Sequence, residues 1–123
     1  MNLVDSSGWL EYLADAPNAH FFAAAVEDTE HLIVSTVNLY EVFKRVLQQR
    51  GEDAALQAAA LMEQAKVVDI TAGLALAAAK LGADLKLPMA ESLILATAQA
   101  HDATVWTQDA DFQGLANVRF VKK

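Results

Sequence analysis

The stretch LPMAESLILATAQAHDATVWTQDADF, residues 87–112, indicates the fold class of this chain. Proline is tolerated in the first turn of a helix, so Pro88 and the apolar residues after it predict a helix to about His101. TVWT at 104–107 then predicts a buried strand, and acidic residues follow it directly. A helix followed at once by an apolar strand is typical of a parallel α/β sheet.

The rest of the chain repeats this alternation of strands and helices. Strands are predicted at 2–4, 32–35, 67–70, 104–107 and 118–121, and helices at about 7–14, 17–26, 36–50, 52–65, 71–81 and 88–101. Apolar strands separated by helices indicate a buried, mainly parallel sheet with helices on both faces. We therefore predict a three-layer α/β/α sandwich with about five strands, formed by a single domain over residues 1–123.

The composition narrows the class of protein. The chain is 54% hydrophobic and contains no cysteine. This hydrophobic surplus indicates apolar surface that contacts a partner or a second copy, and the lack of cysteine excludes disulfides and thiolate chemistry. No apolar run reaches the ~18–20 residues of a membrane-spanning helix. The first residues lack the basic region of a signal peptide, so we expect a cytoplasmic protein without membrane contact.

The charge argues against a protein that binds phosphate groups over a wide surface. Sixteen acidic and nine basic residues give a net charge of −7, whereas nucleic-acid binders are usually basic. Two features weaken this objection. Divalent cations can neutralise an acidic pocket. Six of the basic residues also form two local clusters, which are Lys44, Arg45 and Arg50, and Arg119, Lys122 and Lys123.

Acidic residues follow two of the predicted strands. Asp5 comes directly after the first strand, and Asp109 and Asp111 come after the fourth. Ligands bind beyond the carboxyl ends of the strands in open parallel sheets, so these acids are candidates for one shared site. Each of them alone also fits ordinary turn and helix-capping chemistry.

Two glutamates on predicted helices are further candidates. Glu91 lies on a helix that is apolar nearly all round, where a carboxylate is costly unless it is paired, protonated or bound to a cation. A first-turn glutamate facing water is the equally supported alternative. For Glu41, periodicity favours the surface and an ordinary pair with Arg45 one turn later. The three histidines show no metal-ligand spacing.

At these residues the sequence resembles the PIN-domain nucleases, and most closely the VapC-type toxins of bacterial toxin–antitoxin pairs. The similar segments are VDSSGWLEYL at 4–13, VSTVNLYEVFKRVL at 34–47 and the stretch 87–112, in the family's order and spacing. The resemblance implies a catalytic and metal-binding set of Asp5, Glu41, Glu91 and Asp109, with Asp111 as an additional ligand and Ser7 and Thr107 as supporting hydroxyls. The third acid is usually aspartate in the family. Its replacement by Glu91 leaves open whether that residue binds metal directly or through water.

The resemblance also implies an activity and partners. These are one or two Mg²⁺ or Mn²⁺ ions, hydrolysis of RNA phosphodiester bonds, and a cognate antitoxin whose C-terminal segment covers the acidic site. An oxygen-only ligand set fits such hard cations. A homodimer is expected alongside the antitoxin, because the hydrophobic surplus is compatible with both.

Two alternatives to a nuclease stay open at this point. A non-catalytic PIN-like binding module would use the same acids structurally. A receiver domain of a signalling relay resembles the chain less well, because Asp69 lies inside the predicted third strand and no helix follows the last strand. Receivers carry a phosphate-accepting aspartate after the third strand.

Overall fold

Five short strands form one sheet in the computed structural model, which describes residues 1–123. They are β1 (Asn2–Val4), β2 (Leu32–Ser35), β3 (Lys66–Val68), β4 (Thr104–Thr107) and β5 (Val118–Phe120). The strand order is β3-β2-β1-β4-β5, and every pairing is parallel. Leu3 at the centre pairs with Ile33 on one side and with Val105 on the other. The predicted parallel sheet of about five strands is confirmed.

Six helices connect the strands. They are α1 (Ser6–Leu13), α2 (Ala19–Val26), α3 (Thr36–Arg50), α4 (Glu52–Met62), α5 (Ala72–Leu85) and α6 (Met89–Ala100). Short 3₁₀ turns at Thr29–His31 and Ala110–Phe112 precede β2 and follow β4. A bilayer-spanning helix is not found among them, since none combines sufficient length with sufficient apolar character.

Successive strand residues face opposite helical layers, as the pleat of a strand requires. Val4, Val34 and Trp106 pack on the side of α1 to α4, in a core that also holds Trp9 and Phe22. Leu3, Ile33 and Val105 pack on the other side with α6, in a core completed by Ile94, Leu95 and Phe112. The three-layer α/β/α sandwich is therefore confirmed, with two separate hydrophobic cores.

Gly8 allows α1 to lie directly on the sheet. A Cβ atom at this position would lie 2.6 Å from the ring of Phe22 and 2.7 Å from Val4 Cγ1. Such distances are far inside van der Waals contact, so only glycine fits here. This close approach fixes the start of α1 against the end of β1, where Asp5 lies.

Three predicted C-terminal ends are wrong by two residues or more. Strand β3 ends at Val68 because β2, its only neighbour, ends at the paired Ser35. Helix α4 ends at Met62 rather than residue 65. Helix α5 continues past Gly82 to Leu85, and it is followed by Lys86 in the left-handed conformation. A Cβ at Gly82 would lie 3.3 Å from Ser92 Cβ. This glycine serves close packing of α5 on α6 and does not end the helix.

The position of Asp69 also differs from the prediction. It follows β3 instead of lying inside it, so the sequence argument that used it against a receiver domain is wrong. The strand order gives a better argument. Receiver-like folds have the order 2-1-3-4-5, in which the third strand lies beside the first. Here β3 lies at the edge of the sheet, separated from β1 by β2.

Candidate metal centre

Asp5 is the buried acid at the end of β1. Its Oδ1 accepts the Gly8 N–H at 3.0 Å and so caps α1. The hydroxyls of Ser7 and Thr107 lie 2.9–3.0 Å and 2.9 Å from its carboxylate oxygens. Only 3% of Asp5 is exposed. Burial raises its pKa to about 6, the charge of Asp109 adds to that rise, and the three donors oppose it.

Thr107 connects Asp5 to the acids that follow β4. Its Oγ1 donates to Asp5 Oδ2 and accepts the Asp109 N–H at 2.9 Å. Asp109 Oδ1 in turn accepts the Asp111 N–H at 2.9 Å and caps the 3₁₀ turn after β4. Because β1 and β4 are adjacent and parallel, with Val4 paired to Trp106, the acids after both strands lie at one edge of the sheet.

Three carboxylates lie closest together. One oxygen from each of Glu91, Asp109 and Asp111 lies within 4.8 Å of the other two. Glu91 comes from the first turn of α6 and is half-buried. Burial raises its pKa, and the charges of Asp109, Glu41 and Asp111 raise it further. Glu91 therefore faces other acids, although it also lies in the first turn of α6 and is partly exposed, as the alternative expected.

Glu41 is held at the same edge by a partly buried chain of hydrogen bonds. Ser6 Oγ donates to Glu41 Oε1 at 2.6 Å, and Asn38 Nδ2 donates to Ser6 Oγ at 3.0 Å. Asn38 Oδ1 accepts the Ser35 N–H at 3.1 Å. The surface pair with Arg45 that periodicity predicts is wrong, since the one ion pair in the structure joins His31 to Asp28.

Ser6 and Asn38 are the residues that sequence reasoning missed. One signal was present for Asn38, because Ser35 and Asn38 form a capping box at the start of α3. That pattern explains the bond to Ser35. It carries no information about the bond to Ser6, which lies 32 residues away in the chain.

The donor set fits a divalent cation. Every candidate ligand is a carboxylate oxygen, and no lysine or arginine lies within ion-pair distance of these acids. Crowded carboxylates without a cationic neighbour favour a bound hard cation such as Mg²⁺ or Mn²⁺. Asp5 and Glu41 lie outside the closest group of three. Their charges still couple to it, Asp5 with Asp109 and Glu41 with Glu91.

Comparison with known proteins identifies relatives of this fold. A toxin–antitoxin complex from Klebsiella pneumoniae aligns with a TM-score of 0.81 at 22% identity, covering 97% of this chain and 96% of that one. Mycobacterium tuberculosis VapC20, described as a sarcin–ricin loop cleaving toxin, aligns with a TM-score of 0.78 at 19% identity, covering 97% and 99%. DNA-bound VapBC from Salmonella typhimurium aligns with a TM-score of 0.75 at 14% identity, covering 99% and 98%.

At these identities the solved structures establish the fold alone. No curated protein sequence matches the chain. The family model described as PIN domain matches residues 3–118, which is nearly the whole sequence and includes all of the candidate acids. The chain therefore belongs to the PIN domain family.

Proposed function

We propose that this protein is a metal-dependent endoribonuclease that hydrolyses RNA phosphodiester bonds and is the toxin of a toxin–antitoxin pair. The observation that carries the proposal is the convergence of acids from α3, α6 and the ends of β1 and β4, with no cationic side chain to neutralise them. Membership of a nuclease family and the likeness to a toxin described as cleaving the sarcin–ricin loop support the same activity. The proposal includes a cytoplasmic location, because the RNA substrate lies in the cytoplasm.

Glu91, Asp109 and Asp111 would hold the cation, with Asp5 and Glu41 completing the set. A bound Mg²⁺ or Mn²⁺ supplies Lewis acidity, lowering the pKa of a coordinated water and offsetting charge on the phosphate. The longer side chain of Glu91 reaches Asp109 and Asp111 from α6. This reach supports a direct contact of Glu91 with the cation.

The chain's own hydrogen bonds orient the acids. Ser7 and Thr107 hold the carboxylate of Asp5, while Ser6 holds Oε1 of Glu41 and leaves Oε2 without a protein partner. A carboxylate with one fixed and one free oxygen is suited to accept a proton from an attacking water. We assign this positioning role to Ser6, Ser7 and Thr107.

An apolar groove between α3 and α4 is the proposed antitoxin contact. It has a volume of about 580 Å³, and its lining includes Tyr40, Leu47 and Leu56, which are 64%, 41% and 52% exposed. Tyr40 also borders the hollow that contains Glu41, so a segment in the groove would reach the acids. Exposed apolar side chains on α5 and α6, Leu76 and Met89, support a homodimer through a different face.

The test is RNA cleavage by the purified protein with Mg²⁺ or Mn²⁺ and with EDTA. We expect cleavage only with metal, and loss of cleavage in Asp5→Asn and Asp109→Asn. Asp84→Asn, at an exposed acid on α5, is the matched control and should cleave normally. Cleavage that survives both site variants would come from a contaminant. Metal binding without cleavage would instead identify a non-catalytic PIN-like module.

A further inference from the structure

We propose that a basic hollow beside the acids binds the RNA backbone phosphates next to the scissile bond. This inference rests on the proposed ribonuclease function and names the part of the substrate that the site holds. The basic hollow is a cavity of about 250 Å³ between α1 and α3. Its charged lining consists of Arg45, Arg50, Lys123 and Glu11, and its polar lining includes Ser7 and Gln108.

Two residues of the hollow's lining, Ser7 and Arg45, connect it to the candidate metal centre. Ser7 lines it and also donates to the carboxylate of Asp5. Arg45 lines it and also borders the second hollow that contains Glu41. A polynucleotide with one phosphate at the acids would therefore place a neighbouring phosphate within reach of the cations.

None of the three cations lies within ion-pair distance of a carboxylate, although the charge of Lys123 helps to lower the pKa of Glu11. The single ion pair of the structure lies elsewhere, between His31 and Asp28. The one acid in the hollow, Glu11, is held by the backbone N–H of Asn18 at 2.8 Å and by Gln108 Nε2 at 3.1 Å. The guanidinium groups of Arg45 and Arg50 consequently keep their donors free for an anion.

Tertiary structure assembles this charge from two distant sequence clusters. Arg45 and Arg50 belong to α3, whereas Lys123 lies at the other end of the chain. Arg119 of the second cluster does not contribute, because its guanidinium stacks on the Trp106 ring at 4.2 Å. On a chain with a net charge of −7, three cations against one acid in a single cavity are a local exception.

Phosphate is the ligand chemistry that fits this hollow. Arginine binds phosphate oxygens through paired donors, and lysine adds a point charge. Contacts to backbone phosphates position a nucleic acid without reading its sequence. Seven of the eleven residues that line the hollow are polar or charged, whereas six of the eight that line the apolar groove between α3 and α4 are hydrophobic. This difference favours RNA as the ligand of the hollow and protein as the ligand of the groove.

The experiment compares two variants that lose the same charge. One carries Arg45→Gln, Arg50→Gln and Lys123→Gln. The control carries Lys66→Gln, Lys80→Gln and Lys86→Gln, at the three exposed lysines outside both clusters. Binding of a short, labelled single-stranded RNA is measured in EDTA over a range of salt concentrations, so that the reading does not depend on cleavage. Matching midpoints of thermal unfolding establish that the parent protein and both variants are folded.

We expect the hollow variant to bind RNA at least tenfold more weakly at low salt than the control does. The slope of log affinity against log salt should fall by about 2, since each phosphate contact to a single strand contributes about 0.7. With metal present, the hollow variant should show a raised KM and an unchanged kcat, because the lost contacts are made equally in the ground and transition states.

The outcomes separate this inference from the proposed function. If RNA binding weakens equally in both variants, the effect comes from net charge alone. That result would overturn the proposed phosphate site in the hollow, even if RNA is cleaved normally. If only the hollow variant loses RNA binding and the parent protein cleaves no RNA, the phosphate site in the hollow is supported. The proposed ribonuclease activity is then overturned. If the hollow variant binds RNA as before but no longer copurifies with an antitoxin, the hollow is a protein contact. That result would overturn the inference.

Discussion

The hydroxyl of Thr107 donates a 2.9 Å hydrogen bond to Asp5 Oδ2, although 102 residues separate the two in the chain. The same hydroxyl oxygen accepts the backbone N–H of Asp109. One buried side chain therefore sets the spacing of two acids that come from neighbouring strands. The candidate metal centre depends on the pairing of β1 with β4, which brings these residues side by side.

Metal binding should stabilise the folded protein. A cation that binds only the folded state adds RT ln(1 + [L]/Kd) to the free energy of unfolding. We expect millimolar Mg²⁺ or Mn²⁺ to raise the midpoint of thermal unfolding, and Asp5→Asn to remove most of this rise. Asp84→Asn should respond to metal as the parent protein does. A parent protein whose midpoint ignores both metals would contradict the site.

The metal-free protein should lose stability as the pH rises through about 6. Asp5 has a folded-state pKa of about 6 against an ordinary value of 3.8, so the neutral carboxyl is the form that folding favours. Its contribution is complete below the unfolded pKa and is lost above the folded one. At 1.36 kcal/mol per pKa unit, the loss at neutral pH is about 3 kcal/mol.

Chemical denaturation in EDTA at acidic and neutral pH measures this loss. Asp5→Asn carries no charge, so it should be more stable than the parent protein at neutral pH and should show a much weaker pH dependence. The raised pKa of Glu91 acts with the same sign and accounts for a residual slope. An undiminished pH dependence in Asp5→Asn would locate the effect elsewhere.

Removing the Ser6 hydroxyl should release Glu41 without unfolding the protein. Ser6→Ala loses the bond to Glu41 and leaves the buried Asn38 Nδ2 without its acceptor, so we expect a loss of about 1–3 kcal/mol of stability and at least tenfold slower cleavage. Asn38→Ala should destabilise by about 1–3 kcal/mol, because it strands the buried Ser35 N–H. If Ser6 acts through Glu41, Ser6→Ala should add little further loss to Glu41→Gln. Fully additive losses would disprove that role.

Any side chain at Gly8 should destabilise the protein. Gly8→Ala places a methyl group against Phe22 and Val4, and we expect a loss of roughly 1–3 kcal/mol from overpacking. Gly73 on α5 is the control, since the nearest atom to a Cβ there is Thr71 Oγ1 at 3.8 Å. Gly73→Ala should raise stability by up to about 1 kcal/mol. Urea titration of both variants checks the contrast, and similar effects at both sites would contradict the packing argument.

Two charge substitutions should separate the proposed partners. Leu56→Glu puts a charge in the apolar groove, so we expect loss of the antitoxin with RNA cleavage in vitro intact. Leu76→Glu, on α5, should dissociate the homodimer and leave antitoxin binding unchanged. Copurification from coexpressing cells and light scattering are the two measurements. If either variant loses both the antitoxin and the homodimer, the groove between α3 and α4 and the surface of α5 and α6 are not separate contact faces.

Local sequence patterns were sufficient for most of the fold. The apolar strands and the capping residues Ser35 and Thr71 predict the elements they bound, because these signals act within a few residues. The failures occur where a distant partner decides the outcome. Strand β3 stops where β2 stops, and Gly82 lies where α5 packs closely on α6 instead of ending the helix.

The sequence by itself determined the alternation of strands and helices and the acids after β1 and β4, since hydrophobic periodicity and strand-end chemistry are local properties. Only the tertiary structure decided that Glu41 turns towards Ser6, that Glu91 meets Asp109 and Asp111, and that Arg45 and Lys123 share a hollow. Those neighbours belong to segments far apart in the chain. The packing of helices on both faces of the sheet sets the distances between these side chains. No local sequence pattern encodes that packing.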